Sequence, residues 1–146
     1  MFERIVYQST ATQDFESLAL FQLLTEAQIR NAQLRITGHL LFLNGQFTQC
    51  FEGPTESVEQ LWQSIQRDKR HKDIELLVRH PTQERRFPEW SMAFSTQSSF
   101  YVHGMKGFFP VDESGESPLM QHCAIDLNSS ARSIKIIKKG SQMGTL

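Results

Sequence analysis

The chain has 146 residues and an apolar content of 39%, which is enough for one compact domain with an appendage but not for two full domains. Its 15 basic and 16 acidic residues give a formal net charge of -1, so no overall electrostatic attraction to nucleic acid or to an anionic membrane is expected. The N-terminus lacks the basic and apolar runs of a signal peptide, and no uninterrupted apolar stretch of about 18 residues could span a membrane, which favours a cytoplasmic protein.

The chain begins with a predicted strand and a predicted helix. Residues 2–8 are rich in β-branched and aromatic side chains, and a polar cluster from Gln8 to Asp14 follows them, as expected for a strand and its loop. From Phe15 onward, apolar residues recur at three- and four-residue spacing, which predicts an amphipathic helix that ends near Arg30 or Asn31. The apolar stripe of this helix consists of Leu20, Leu23, Leu24 and Ala27.

A β-hairpin is the strongest local signal in the sequence. Residues 39–43 and 46–51 are strand-like, and the Asn44-Gly45 pair between them is typical of a type I′ turn, whose two central residues both need a positive φ. Alternation along the second of these strands places Gln49 on an otherwise aromatic face.

A second helix and two more strands complete the predicted domain. Thr55 is expected to cap a helix that stops near Asp68, and the helix dipole is enough to explain Glu52 near its start. Residues 74–78 and 90–95 predict the fourth and fifth strands. This order indicates an α+β fold, a ferredoxin-like βαββαβ(β) sheet with two helices on one face and a C-terminal extension.

The pattern changes after residue 96, where polar residues and scattered glycines break up any sustained periodicity. We therefore expect residues 1–96 to form the domain and residues 97–146 to form an extension that docks on the domain or on a second subunit. The run from Arg132 to Lys139, with interleaved isoleucines, is compatible with a basic edge strand, a partner-docking segment or a solvated tail.

Three side chains with polar tips are expected on core-facing positions of three different strands. Alternation places Tyr7, Gln49 and Trp90 among apolar neighbours. Each one alone is explained by ordinary core packing or by a one-residue error in register. Because buried polar groups need partners, the three together favour a hydrogen-bonded set around a flat heteroaromatic ligand.

The end of the first helix carries two further candidates. The Asn31 amide can present one donor and one acceptor to the edge of a heterocycle, although asparagine is also common as a helix C-cap. Arg30 can reach a phosphate or a ring carbonyl, or can simply be a favourable cation at the helix C-terminus.

Motifs spread over about residues 4–95 resemble those of the BLUF family of FAD photoreceptors, in its short single-domain type. In chain order these motifs are Tyr7-Gln8-Ser9, Arg30-Asn31, Ile36-Thr37-Gly38, the segment from Gly45 to Pro54, Asp68-Lys-Arg-His71 and the segment from Arg86 to Met92. The resemblance implies a photosensory protein rather than an enzyme, holding FAD non-covalently, with FMN or riboflavin as candidate substitutes. We expect a separate downstream regulator or effector protein and a homo-oligomer, with no direct contact to nucleic acid or membrane.

The resemblance also implies roles for individual residues. Tyr7 matches the tyrosine that gives an electron and a proton to the excited flavin, and Gln49 matches the glutamine that links this tyrosine to the ring and is left rotated or tautomerised. Trp90 and Met92 match two residues that compete for the place beside Gln49, and the sequence does not decide between them. The matching cofactor-binding residues are Leu23, Arg30, Asn31, Gln49, Ile65, Asp68, Arg70 and His71. The signal is expected to leave through the last strand and the C-terminal tail.

No metal site is expected, because the five histidines are widely spaced and Cys50 and Cys123 lie far apart. Two other classes stay open. A light-insensitive interaction module on the same scaffold would be colourless after flavin addition. A flavin-dependent redox enzyme would oxidise a reductant in the dark, but the sequence has no dinucleotide-binding glycine fingerprint.

Overall fold

The computed structural model describes residues 1–114 as a five-stranded sheet with two helices. The elements in chain order are β1 (Phe2–Ala11), α1 (Ser17–Leu34), β2 (Thr37–Leu43), β3 (Gln46–Pro54), α2 (Thr55–Arg67), β4 (His71–Thr82) and β5 (Ala93–Ser95). The strands lie in the order β4-β1-β3-β2-β5, and all neighbours are antiparallel except β2 and β5. The predicted α+β ferredoxin-like fold is confirmed. Within these described residues no helix is long and apolar enough to cross a membrane.

The hairpin between β2 and β3 has the predicted two-residue connection. Asn44 and Gly45 have φ values of 53° and 76°, as a type I′ turn requires, and Leu43 pairs with Gln46 on either side of them. This turn sets the register of the hairpin, so Gln49 lies opposite Leu40 of β2.

The helix ends differ from the predictions in two places. Helix α1 continues to Leu34, where Arg35 adopts a left-handed conformation with φ 59° and its N–H bonds the Ala32 carbonyl. Thr55 does not cap α2, since its hydroxyl bonds the Met1 carbonyl at 3.2 Å and the capping position is Pro54. The predicted end of α2 near Asp68 is confirmed.

The strand lengths also differ from the predictions. β1 and β4 are longer than expected because they pair along most of their length, from Phe2 opposite Thr82 to Ala11 opposite His71. β5 is shorter, because it begins at Ala93 rather than at residue 90. The segment after β5 then runs beside it, with backbone hydrogen bonds between residues 94–96 and 107–111.

Both faces of the sheet carry buried side chains, although the edge strand β4 is largely exposed. One face joins the apolar sides of α1 and α2 in a single hydrophobic cluster. The other face carries a buried ion pair, in which Nε of Arg4 lies 2.9 Å from a Glu52 carboxylate oxygen and the Phe87 N–H donates to the second oxygen at 2.7 Å. The explanation of Glu52 by the helix dipole was therefore wrong. Cys123 and the run from Arg132 to Lys139 lie outside the described residues.

Candidate functional site

The central strands bring a phenol and an amide together. Tyr7 on β1 lies directly opposite Gln49 on β3, and both side chains point to the helix face. The Tyr7 hydroxyl donates a 2.5 Å hydrogen bond to Oε1 of Gln49. Both residues are buried, with exposed fractions of 4% and 5%, so water competes little for this bond.

The other end of the Gln49 amide is held more weakly. Its Nε2 lies 3.6 Å from the sulfur of Met92, which is completely buried. Because a thioether sulfur is a weak acceptor, this contact stabilises the amide less than the bond from Tyr7 does. The two ends of one side-chain amide are therefore held unequally.

Met92, rather than Trp90, is the neighbour of Gln49 in this structure. Trp90 is only half-buried, and its ring packs on Phe109, with ring centroids 5.8 Å apart, and over Gly107. Trp90 lies outside the buried cluster that contains Met92. Residues 90–92 precede β5, so strand alternation does not apply to them.

A cleft opens beside Tyr7 and Gln49, between α1, the sheet and the end of α2. Its walls combine apolar side chains with a ring of polar and charged ones. The lining residues are Tyr7, Leu23, Glu26, Ala27, Arg30, Leu40, Phe47, Gln49, Ile65, Asp68, Arg70 and His71. The cleft thus brings together Tyr7 and all but one of the cofactor-binding residues expected from the sequence, the exception being Asn31.

The cleft is narrow and is bridged by an exposed ion pair. Its cavity volume is about 70 Å³, below the roughly 300–1,000 Å³ of drug-sized ligand sites. Glu26 on α1 lies 3.4 Å from Arg70 after α2, and the side chains are 66% and 40% exposed. Such an exposed pair is weak, so it adds little to the stability of the closed cleft.

Burial keeps the phenol of Tyr7 protonated. Desolvation raises its pKa far above the ordinary value, the nearby Arg30 charge opposes this shift, and the Asp68 charge adds to it. Desolvation likewise lowers the pKa of Arg30, which lies partly inside the cleft. Tyr7 is therefore a neutral hydrogen-bond donor over the whole ordinary pH range.

An ion pair after α2 shapes one wall of the cleft. The Arg70 guanidinium donates to both Asp68 carboxylate oxygens, with a shortest distance of 2.7 Å, and the Arg70 backbone N–H donates to the same carboxylate. These hydrogen bonds lower the pKa of Asp68, although desolvation partly opposes them. Asp68 therefore holds the Arg70 side chain where the cleft opens.

His71 is held between the sheet and α2. Its Nε2 lies 2.7 Å from the Ile65 carbonyl, which can only accept, so this nitrogen carries a proton. Its Nδ1 lies 2.7 Å from the Ser9 hydroxyl, which then donates to it if the ring is neutral. The imidazole thereby ties the end of α2 to β1 beside the cleft.

Asn31 lies behind the cleft wall. Its side chain is fully buried, its Nδ2 donates to the Ser91 carbonyl at 3.0 Å, and its Oδ1 accepts from Nε of Arg30 at 3.2 Å. The amide thus joins α1 to the segment that carries Met92, and its contact with a ligand stays a prediction. The C-cap of the helix is Arg35, four residues later.

Four residues of the cleft lining, Glu26, Ala27, Leu40 and Phe47, are not among the site residues predicted from the sequence. Glu26 and Ala27 follow Leu23 by three and four residues, so helical periodicity places both on the same face of α1 as Leu23. Phe47 shares its strand face with Gln49, and Leu40 lies opposite Gln49 in the hairpin, so strand alternation and register point to both. In the described part of the chain, no group of three or more His, Cys, Asp or Glu side chains is arranged to hold a metal ion.

The sequence is similar to a family profile and to several proteins whose names describe regulation by light. Residues 2–93 match the sequence profile of the BLUF family, described as sensors of blue-light using FAD. Subunit beta of photoactivated adenylate cyclase from Euglena longa is 40% identical over 94 residues, which are 64% of this chain and 11% of that protein. The blue light- and temperature-regulated antirepressor BluF of Escherichia coli is 33% identical over 92 residues, 63% of this chain and 23% of that protein. The chain thus spans about a tenth of the cyclase subunit.

Solved structures agree with this relationship. The ground state of BlsA matches with a TM-score of 0.62 and 35% identity over 64% of each chain. Klebsiella pneumoniae BlrP1 with FMN and cyclic diGMP matches with a TM-score of 0.68 and 26% identity, over 99% of this chain and 35% of that one.

Proposed function

The chain belongs to the BLUF family of blue-light sensors, and on that premise we propose that it is a photoreceptor whose cleft holds FAD and whose photochemistry is carried by Tyr7 and Gln49. The observation that carries the proposal is the buried 2.5 Å hydrogen bond from Tyr7 to Gln49 at the cleft wall. It puts an oxidisable phenol and a reorientable amide next to the place where a ring would bind.

The residues of the cleft fit a flavin. Leu23 and Ala27 of α1 and Ile65 at the end of α2 offer apolar side chains to the faces of a planar ring. The positive charge of Arg30 at the cleft suits an anionic phosphate chain, whereas the charge of Arg70 is balanced by Asp68 and Glu26 in the same cleft. We propose that Asp68, His71 and Asn31 complete this binding set by orienting these side chains or contacting the cofactor directly. The same features suit FMN, which differs in its phosphate portion.

The proposed photochemistry begins with Tyr7. Bound FAD supplies a ring that absorbs blue light and accepts an electron in its excited state. Tyr7 gives up that electron. Burial keeps the hydroxyl proton on the neutral phenol, but loss of the electron makes this proton strongly acidic, and it passes to the neighbouring Oε1 of Gln49. When the electron and the proton return, the phenol of Tyr7 is restored.

The lasting change is proposed to reside in Gln49. During the return of the proton its amide is left rotated or tautomerised. The change in the amide costs little at Nε2, because the contact of Nε2 with the Met92 sulfur is weaker than an ordinary neutral hydrogen bond of about 1 kcal/mol. Met92 immediately precedes β5, so its displacement passes to the last strand and from there to a separate partner protein.

Colour provides the test of this proposal. Purified protein supplied with FAD should be yellow, and its flavin absorption should shift slightly to the red under blue light and recover in darkness. Tyr7→Phe should abolish the shift while the flavin stays bound, because the phenol supplies the electron and the proton. The chain offers a matched control in its other tyrosine, Tyr101, which is 49% exposed, and Tyr101→Phe should photocycle like the wild type.

Three results would count against the proposal. A normal photocycle in Tyr7→Phe would remove Tyr7 from the mechanism. Protein that stays colourless after flavin addition would favour a light-insensitive interaction module. Oxidation of a reductant in the dark would favour a redox enzyme.

A further inference from the structure

Residues 90–92 are held in place by hydrogen bonds from α1 and β2. Three successive carbonyl oxygens of this segment accept three donors: Trp90 accepts from the Gly38 N–H at 3.1 Å, Ser91 from Nδ2 of Asn31 at 3.0 Å, and Met92 from Nε2 of Gln28 at 3.0 Å. Two of these donors are side-chain amides of α1, the helix that also lines the cleft. The backbone of Met92 is thus positioned by side chains rather than by a strand ladder.

Gln28 differs from the other two donors because it holds two segments at once. The same Nε2 that bonds the Met92 carbonyl also bonds the Lys106 carbonyl at 2.9 Å. A side-chain amide nitrogen carries two N–H groups, so both are used, one for each carbonyl. A movement of the Met92 backbone must therefore either move Lys106 or break one of these bonds.

The segment that follows Lys106 is docked along β5. The Phe94 N–H bonds the Gly107 carbonyl at 2.7 Å, the Phe109 N–H bonds the Phe94 carbonyl at 2.8 Å, and the Val111 N–H bonds the Thr96 carbonyl at 3.0 Å. The ring of Phe109 also packs against Trp90. The three amides of residues 94, 109 and 111 therefore report whether this segment is docked.

We infer that Gln28 is a positioning residue that couples Met92 to residues 106–111, which makes this docked segment the first surface to respond to the Gln49 switch. The inference rests on the proposed function, since it needs a light-driven change at Gln49. Gln28 does not line the cleft, so its role is separate from flavin binding and from the photochemical step.

The test replaces the donors of Gln28 without changing its size. Gln28→Glu puts a carboxylate opposite two carbonyl oxygens, and Gln28→Met, an uncharged variant without donors, covers the case in which the glutamate variant folds poorly. Hydrogen exchange of the amides of residues 94, 109 and 111 is measured by NMR on the FAD-loaded protein, in darkness and under continuous blue light. The matched control is Gln22→Glu, the same substitution at an exposed position of α1.

We expect light to change the exchange of these three amides in the wild type and in Gln22→Glu. In both Gln28 variants the flavin red shift should remain, dark exchange should rise about five- to thirtyfold through the loss of one or two hydrogen bonds, and the difference between light and darkness should vanish. A purely structural role would raise exchange equally in light and darkness and would leave that difference intact.

The outcomes separate this inference from the function on which it rests. A wild type that shows the flavin shift but no light-dependent exchange at these amides overturns the coupling and leaves the photoreceptor proposal standing. Gln28 variants that keep the full light-dependent difference also overturn it. A wild type without any flavin shift overturns both.

Discussion

The hydrogen bond between Tyr7 and Gln49 can be tested by its contribution to stability, independently of light. Tyr7→Phe removes the donor and leaves Oε1 of Gln49 buried without it, and Gln49→Leu removes the acceptor and leaves the Tyr7 hydroxyl buried without it. Each single variant should lose about 1–3 kcal/mol of unfolding free energy, the cost of one buried unsatisfied polar group.

The double variant should be far more stable than the sum of these losses predicts. When both partners become apolar, neither polar group is left unsatisfied, and such a replacement can be nearly neutral. Since each single loss is about 1–3 kcal/mol and the double loss is near zero, the coupling energy of the double-mutant cycle should be about 2–6 kcal/mol in favour of the double variant. The neighbouring Gln8 and Thr48 provide a control pair, because their hydrogen bond is longer, at 3.3 Å, and only partly buried. A Gln8→Leu and Thr48→Val cycle should show less than about 1 kcal/mol.

Urea unfolding followed by circular dichroism measures these free energies. The flavin-free protein is used, because a ligand bound only to the folded state would add its own stabilisation. The denaturant slope should stay constant among the variants, so that changes in midpoint report stability alone. Additive losses, within about 0.5 kcal/mol, would show that Tyr7 and Gln49 do not interact and would refute the proposed contact.

Two further predictions concern charged side chains. Glu52→Gln should lower the unfolding free energy by about 3–5 kcal/mol, because it removes the carboxylate charge that lies 2.9 Å from the buried Arg4 guanidinium. Glu59→Gln on the exposed side of α2 should cost less than about 1 kcal/mol, and equal losses in urea unfolding would contradict this. Asp68, whose pKa lies below its ordinary 3.8, stabilises the fold above about pH 4, and this stabilisation is lost as the pH falls through the lowered pKa. Asp68→Asn should therefore show a smaller drop in melting temperature between pH 5 and pH 2 than the wild type, and an unchanged drop would count against the Arg70 contact.

The features predicted correctly from the sequence depend on neighbouring residues. The Asn44-Gly45 turn is specified by the two residues that form it, and it fixes the register of the following strand. Strand alternation then places Gln49 and Tyr7 on the inner face, because side chains of consecutive residues point to opposite faces. Their mutual hydrogen bond needs only that β1 and β3 be neighbours, as they are in a ferredoxin-like sheet.

The features missed depend on pairing between distant residues. The antiparallel register that pairs Tyr7 with Gln49 also pairs Arg4, three residues earlier on β1, with Glu52, three residues later on β3. The residues next to Arg4 and Glu52 in the sequence do not indicate this pair. The alternation of Trp90, Met92 and Phe94 predicts a full strand, and Met92 and Phe94 are both buried, but only residues 93–95 pair as a strand. The donors that instead hold residues 90–92 come from α1 and β2, far away in the sequence.

Because β5 begins only at Ala93, the Met92 backbone is held by side-chain contacts rather than by ladder hydrogen bonds. Ladder hydrogen bonds would fix the Met92 backbone to β2, whereas side-chain amides from α1 can follow a small displacement. Before residues 90–92, the chain is anchored by the hydrogen bond from the Phe87 N–H to the Glu52 carboxylate. After them, Ala93 begins β5. Under the proposed function, a change at Gln49 therefore displaces residues 90–92, and this displacement is passed on through their hydrogen bonds with α1. The strand pattern of the sequence does not hold at residues 90–92, the segment that the proposed function requires to switch between two states. Functional segments are where sequence patterns and structure are expected to disagree.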